Sequence, residues 1–205
     1  MKKRPGVFIV LEGPDGGGKT SVMEALVGHL DGRGVSSVIV REPGGTVAGE
    51  KIREMLLDPD VELSAETELF LYMAARSELV RRVVRPALAD GAVVLSERWL
   101  YSSVVYQGVA GRLGVETVEE MGRLAVGDVA PDLVLVLMVD AETGLRRLGS
   151  ALDRMESKGL AYHRKVAAAY RDLAARGGAF KAVDATRPIE EVVGRVIEEV
   201  DSVLG

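Results

Sequence analysis

The chain has 205 residues, 47% of them apolar, and carries 31 acidic against 26 basic residues for a formal charge of -5. The apolar fraction suffices for a substantial core, and the acidic balance argues against a general nucleic-acid surface, which needs a basic face. With no cysteine and only two histidines, His29 and His163, the chain offers no disulfide, thiolate metal site or histidine-rich zinc site.

Strand-like and helix-like stretches alternate along the chain. Met1-Lys2-Lys3-Arg4 precedes a short apolar run that Glu12 breaks, which is not the pattern of a signal peptide. No run reaches the eighteen or so apolar residues of a membrane span. These features predict a cytoplasmic protein with no membrane partner. Val7 to Leu11 reads as a buried parallel strand, followed by a glycine-rich turn and a helix from Lys19 to Leu30. Val35 to Val40 is a second strand, and Val47 to Leu57 a helix ended near Pro59. Ser64 is placed to cap a long helix reaching about Ala89, with Pro86 marking a kink or a new turn. Val93 to Ser96 is a third strand. A helix-prone stretch from Tyr101 to Tyr106 is expected to break at Gly108 and Gly111. Helix Glu116–Val126, strand Leu133–Val139, capping residue Asp140, helix Ala161–Ala175 and strand Ala179–Val183 follow. In the last helix Ile189, Val192, Val193, Val196, Ile197, Val200 and Val203 form one apolar stripe. Apolar strands separated by helices predict one α/β domain over residues 1–205, with a parallel sheet covered on both faces.

Gly13-Pro14-Asp15-Gly16-Gly17-Gly18-Lys19-Thr20 fits the phosphate-loop pattern G-x-x-x-x-G-K-[ST], with a strand before it and a helix after it. Glycines let backbone N–H groups turn toward phosphate oxygens, and the helix N-terminus adds its positive end. Lys19 can reach the β- and γ-phosphates, and the Thr20 hydroxyl can hold Mg²⁺. The motif alone does not separate kinase, GTPase, ATPase and switch protein. The short chain, the early motif and the lack of an N-K-x-D guanine reader favour a small kinase.

Further along, Arg41-Glu42-Pro43-Gly44-Gly45-Thr46, Tyr72-Met73-Ala74-Ala75-Arg76, Glu97-Arg98-Trp99 with Ser102-Ser103 and Tyr106-Gln107-Gly108, Pro131-Asp132-Leu133, Asp153-Arg154-Met155-Glu156 and Asp184-Ala185-Thr186 occur in order. Together they resemble the thymidylate kinases, closest to the bacterial form. The resemblance implies a P-loop fold with a five-stranded parallel sheet between helical layers, and a mobile lid at about 144–160. It also implies a homodimer that makes dTDP from dTMP and Mg·ATP for dTTP synthesis. Another small-molecule kinase and a non-catalytic nucleotide-binding relative are the alternatives.

By that resemblance, residues 13–20, Arg147 and Thr186 hold ATP. Arg98 grips the acceptor 5′-phosphate, Arg76 holds the nucleotide near its base, and Arg53 adds a phosphate contact. Tyr72 stacks on the base where the family has phenylalanine. Asp15 meets the 3′-hydroxyl. Ser102, Ser103, Tyr106 and Gln107 line the base and sugar side. Glu42 and Pro43 sit between donor and acceptor, joined by a cis bond. Glu97 and Thr20 are the metal-side pair; the family usually has aspartate where Glu97 stands, and the extra CH₂ lets the carboxylate meet Mg²⁺ differently, for example through water. No variable position of the phosphate loop is cationic, so the lid must supply catalytic charge. Arg147 and Arg154 are the expected donors, with Arg146 turned to solvent. Between Arg147 and Asp153 lie only Leu148, Gly149, Ser150, Ala151 and Leu152, a shorter and less basic stretch than in typical bacterial relatives. Lys19, Arg98, Arg147, Arg154 and Glu42 form the expected catalytic set. No general base is expected, because a phosphate monoester with a second pKa near 6 is already largely ionised at neutral pH.

Overall fold

The computed structural model describes residues 6–149 and 152–205. The readings that fall on Met1–Arg4, Ser150 and Ala151 lie outside the described residues.

Five parallel strands form one sheet in the order β2-β3-β1-β4-β5, with β1 Val7–Glu12, β2 Ser37–Arg41, β3 Val93–Glu97, β4 Leu133–Met138 and β5 Phe180–Asp184. Leu11 pairs with Glu97 on one side and with Leu135 on the other. The chain leaves β1 for β2 and β3 and later crosses to β4 and β5. The carboxyl end of β1 is therefore the switch point of the sheet, the crevice where open α/β sheets bind ligands.

Side chains alternate along the central strands, and each face has its own core. Phe8, Val10, Val94, Val134 and Val136 pack with Trp99, Tyr170 and Leu173. Ile9, Leu11, Leu95, Leu135 and Leu137 pack with Val22, Leu26, Val192, Val196 and Val200. The second group belongs to α1 (Lys19–Gly32) and α9 (Ile189–Leu204), which carries the expected apolar stripe with Ile189 left 43% exposed.

The expected caps form. The Ser64 hydroxyl accepts from Thr67 N at 3.2 Å to start α3 (Ala65–Leu79), and Asp140 accepts from Thr143 N at 2.8 Å to start α7 (Ala141–Arg147). Thr46 caps α2 (Val47–Leu57) in the same way, accepting from Gly49 N. The long helix passes through one π segment, Val80–Val84, into α4 (Arg85–Ala89). That wider turn lies just ahead of Pro86, whose missing N–H would otherwise interrupt the ladder.

Gly108 does not break its helix. α5 (Leu100–Ser103) runs into a second π segment, Val104–Ala110, which contains Gly108 and stops at Gly111. Gly111 closes the last turn, its N–H donating to Tyr106 O at 2.8 Å, where a Cβ would stand 2.7 Å from the Gln107 carbonyl oxygen. α6 (Val115–Val126) and α8 (Leu160–Ala174) complete the layers.

Candidate active site

The phosphate loop joins β1 to α1 at the switch point. Lys19 is buried in it, donating to the carbonyls of Gly13 (3.1 Å) and Pro14 (2.9 Å). Burial, reinforced by the nearby Arg98 charge, pushes its ammonium down to about 8. The Thr20 hydroxyl faces Glu97 across 3.4 Å from the end of β3. Hydroxyl and carboxylate oxygens suit Mg²⁺, which takes few protein ligands and keeps waters and substrate phosphates. Among the described residues no group of three or more His, Asp or Glu forms a ready-made cage. The Thr20 hydroxyl and the Glu97 carboxylate offer the two oxygen ligands that fit an ion carried in with a nucleotide.

The loop is packed tightly from above. Gly16 sits at φ +73°, and a Cβ there would lie 2.1 Å from the Gly144 carbonyl oxygen in α7. Two glycines thus let α7 rest directly on the loop. Arg147, at the end of α7, donates to Gly16 O (3.3 Å) and Ala185 O (2.8 Å), bridging the loop to the Asp184-Ala185-Thr186 turn. Thr186 is exposed there and bonds Asp184. Arg146 is exposed and donates back to Thr143 Oγ1 at 2.9 Å.

On the other side of the loop, every residue expected to hold the acceptor lines one cavity. Asp15, Arg53, Tyr72, Arg76, Arg98, Ser102, Ser103, Tyr106 and Gln107 share it with Glu42, Pro43, Leu57, Asp153 and Met155. The Glu42-Pro43 bond is cis. Arg98 is one of the two described non-glycine residues at positive φ, at +69°. Its backbone N donates to Leu11 O (2.9 Å), and its carbonyl accepts from the Ser96 hydroxyl (2.6 Å). The next turn is tied down by Glu12. This fully buried carboxylate accepts from the N–H groups of Trp99 (2.9 Å) and Ser102 (3.0 Å) and the hydroxyls of Ser102 (2.7 Å) and Tyr170 (2.8 Å). Such over-determination can hold a conformation that costs about 1–2 kcal/mol in isolation.

The Arg98 guanidinium pairs with Asp15 and also reaches Ser102 and Tyr170. Asp15 accepts from the Tyr106 hydroxyl at 2.7 Å. Burial pushes the Asp15 carboxyl up, but Arg98, Lys19 and Tyr106 outweigh it and hold the carboxyl below its ordinary value. Arg76 is not an ordinary surface arginine. It is 2% exposed, 2.6 Å from Glu42, and also donates to Ser103 Oγ. Burial pushes Glu42 up to about 7 against the pull of Arg76. Its second oxygen, Oε1, has no partner among the described residues. Arg53 donates to Pro43 O at 2.9 Å, at the cavity wall.

Arg154, an expected lid donor, stands on the acceptor side of the site in this structure. Its side chain donates to Leu56 O at 2.7 Å and stands 2.6 Å from Glu68, and its backbone N donates to Leu57 O, so it is tied to α2 and α3. It joins the acceptor side of the site, and this conformation does not bring it to the phosphate loop. The neighbouring carboxylates Asp153 and Glu156, the obvious partners in sequence, are occupied by backbone N–H groups of their own turn. Sequence reasoning also passed over Glu12, Glu68 and Tyr170. Glu12 had a readable signal, a lone carboxylate ending a strand buried on both faces. Glu68 had none, since an acid in a first helical turn is ordinary.

A phosphate loop at the switch point of a parallel sheet, beside a cavity lined with arginines, defines a P-loop protein built to hold nucleotide phosphates. The family model described as thymidylate kinase matches residues 11–196. The chain belongs to the thymidylate kinase family. Among similar proteins, a thymidylate kinase of Rhodopirellula baltica is 46% identical over 189 residues, covering 92% of this chain and 77% of its own. One of Desulfosudis oleivorans is 42% identical over 208 residues (96% and 97%), and one of Symbiobacterium thermophilum 45% identical over 200 residues (95% and 94%).

Proposed function

We propose that this chain phosphorylates dTMP to dTDP with Mg·ATP. The observation that carries the proposal is the single cavity, next to the phosphate loop, that gathers all the acceptor-side residues. ATP lies along residues 13–20, with its adenine toward Thr186 and its phosphates under Arg147. dTMP lies in the cavity, its phosphate toward Arg98 and Arg53 and its base between Tyr72, Arg76 and Gln107. Asp15 faces the sugar. Thr20 and Glu97 would hold Mg²⁺, which supplies charge neutralisation at the β- and γ-phosphates.

A dTMP phosphate oxygen attacks the γ-phosphorus in line. A new O–P bond forms, the bond to the β-phosphate oxygen breaks, and ADP leaves. The acceptor is already largely ionised at neutral pH, so the residues align and neutralise charge without abstracting a proton. Arg98 supplies positive charge on the acceptor side, Lys19 on the donor side. Arg147 steadies the loop. Glu42, between the two substrates, keeps Arg76 in place beside the base. Arg154 acts from the acceptor wall.

We further infer one kinase domain over residues 1–205 with a lid at about 144–160, acting as a cytoplasmic homodimer. Met55, Phe70 and Leu124 on α2, α3 and α6 are 46%, 59% and 89% exposed, which supports a further apolar contact surface. No described helix is long and apolar enough to cross a membrane. Steady-state ADP production from Mg·ATP and dTMP tests the reading. Lys19→Ala and Arg98→Ala are expected to lose at least about a hundredfold in kcat/KM while keeping the circular dichroism of the wild type. Near-normal turnover in both overturns it.

A further inference from the structure

Glu68 lies in the first turn of α3 but is not placed like a surface acid. Its side chain is 3% exposed, and two distant parts of the chain send donors to it. Gln107 Nε2, from the π segment after α5, donates to Oε1 at 2.7 Å. Arg154 Nη1 stands 2.6 Å from Oε2, and Lys158 Nζ 3.2 Å from the same oxygen.

The chemistry of the pair with Gln107 fixes a direction. A carboxylate paired with two cations accepts hydrogen bonds and does not donate them. The Gln107 amide must therefore turn its NH₂ to Glu68, which directs its carbonyl oxygen elsewhere. Among the described residues no donor meets that oxygen, and Gln107 lines the acceptor cavity. On the opposite side of Glu68, Arg154 is tied to the end of α2, and its neighbours Asp153 and Met155 form part of the cavity wall. One buried carboxylate thus fixes both a base-side amide and the wall beside it.

We propose that Glu68 is a positioning residue for acceptor selection. It orients Gln107 so that a carbonyl oxygen meets the base, and it clamps the 153–158 wall against the cavity. The proposal rests on the acceptor reading above and extends it. A base edge carrying an N–H donor, such as the imide N3–H of thymine or uracil, meets its complement. Cytosine, whose N3 is an acceptor, meets an opposed lone pair. A site that hydrogen-bonds one edge rejects the wrong one because buried polar groups are left unpaired.

Glu68→Gln keeps the shape and removes the charge, so the amide at 107 is no longer forced to one orientation. Kinetics at saturating Mg·ATP are expected to show KM for dTMP raised on the order of tenfold, with kcat and KM for ATP within about twofold of wild type. The ratio of kcat/KM for dTMP over dCMP should fall on the order of tenfold. Lys158→Ala, which removes one of the cations at the same oxygen, should move the same two quantities in the same direction by a smaller factor. Unchanged acceptor KM and unchanged ratio in Glu68→Gln overturn the proposal. So does a uniform loss in kcat and both KM values, the mark of general loosening. If Glu68→Gln does not fold, Lys158→Ala decides by the same criteria. A wild-type protein that fails to phosphorylate dTMP refutes the acceptor reading itself. An active wild type with silent variants refutes only the role of Glu68.

Discussion

Replacing Gly144 with alanine should separate the phosphate loop from the helix that rests on it. The added Cβ would stand 2.4 Å from the Asp15 carbonyl oxygen, against the 3.4 Å at which ordinary van der Waals contact begins. The contacting atom is backbone, so α7 and the loop must part by roughly 1 Å to relieve it. Gly144 is helical, so alanine carries no dihedral penalty there and gains about 1 kcal/mol of helix propensity. Overpacking costs about 1–3 kcal/mol. The net change is a loss of about 0–2 kcal/mol, at most some 8 °C in Tm for a domain this size. The effect on chemistry should be larger. Arg147 hangs from α7 onto Gly16 O, and a displacement of about 1 Å in a phosphate-aligning loop can cost about a hundredfold. Thermal unfolding and ADP-release kinetics should show kcat/KM for ATP down about 10- to 100-fold with only a modest Tm shift. Gly194→Ala is the control. Nothing lies within 4 Å of a Cβ there, so it should stabilise α9 by up to about 1 kcal/mol and leave kinetics alone. Wild-type kcat/KM in Gly144→Ala would refute the claim that this close approach positions the loop.

The depressed Lys19 makes nucleotide binding pH-linked. With an ammonium at about 8 in the free protein, an arriving triphosphate draws a proton back, about half a proton per site at pH 8 and almost none below pH 7. Calorimetry in buffers of different ionisation enthalpy measures that uptake, and its absence at pH 8 contradicts the assignment. Arg147→Ala should lower kcat clearly and Arg146→Ala should not. Arg154→Ala strips Glu68 of its nearer cation, so it should lower stability by as much as about 3 kcal/mol and raise KM for dTMP. Unchanged stability with reduced kcat would show instead that Arg154 leaves Glu68 to reach the phosphates during turnover.

The sheet was legible because its strands are apolar on both faces and bounded by turn residues. The phosphate loop was legible because spacing and context agree at Gly13, Gly18, Lys19 and Thr20. The acceptor residues, scattered from Asp15 to Gln107, were named from resemblance. Their meeting in one cavity follows from the strand order, which places the ends of β1 and β3 side by side. Hidden from the sequence were the partners. Arg154 beside Asp153 and Glu156 invites a local ion pair, yet backbone N–H groups claim those carboxylates and a buried acid in α3 claims the arginine. The helix through Gly108 was misread for a related reason. Glycine weakens a helix by only about 1 kcal/mol, and burial of Val104, Val105 and Tyr106 in the cores outweighs that.

The most direct test of the account is an acceptor panel: purified protein, Mg·ATP, and dTMP, dUMP, dCMP, dGMP and AMP in turn, with ADP release followed. dTMP should be the best acceptor. dUMP should follow by a modest factor, since a buried methyl is worth about 0.8 kcal/mol, and the purine monophosphates should trail far behind. Equal use of dGMP and dTMP, or ATP binding with no transfer to any acceptor, would contradict it.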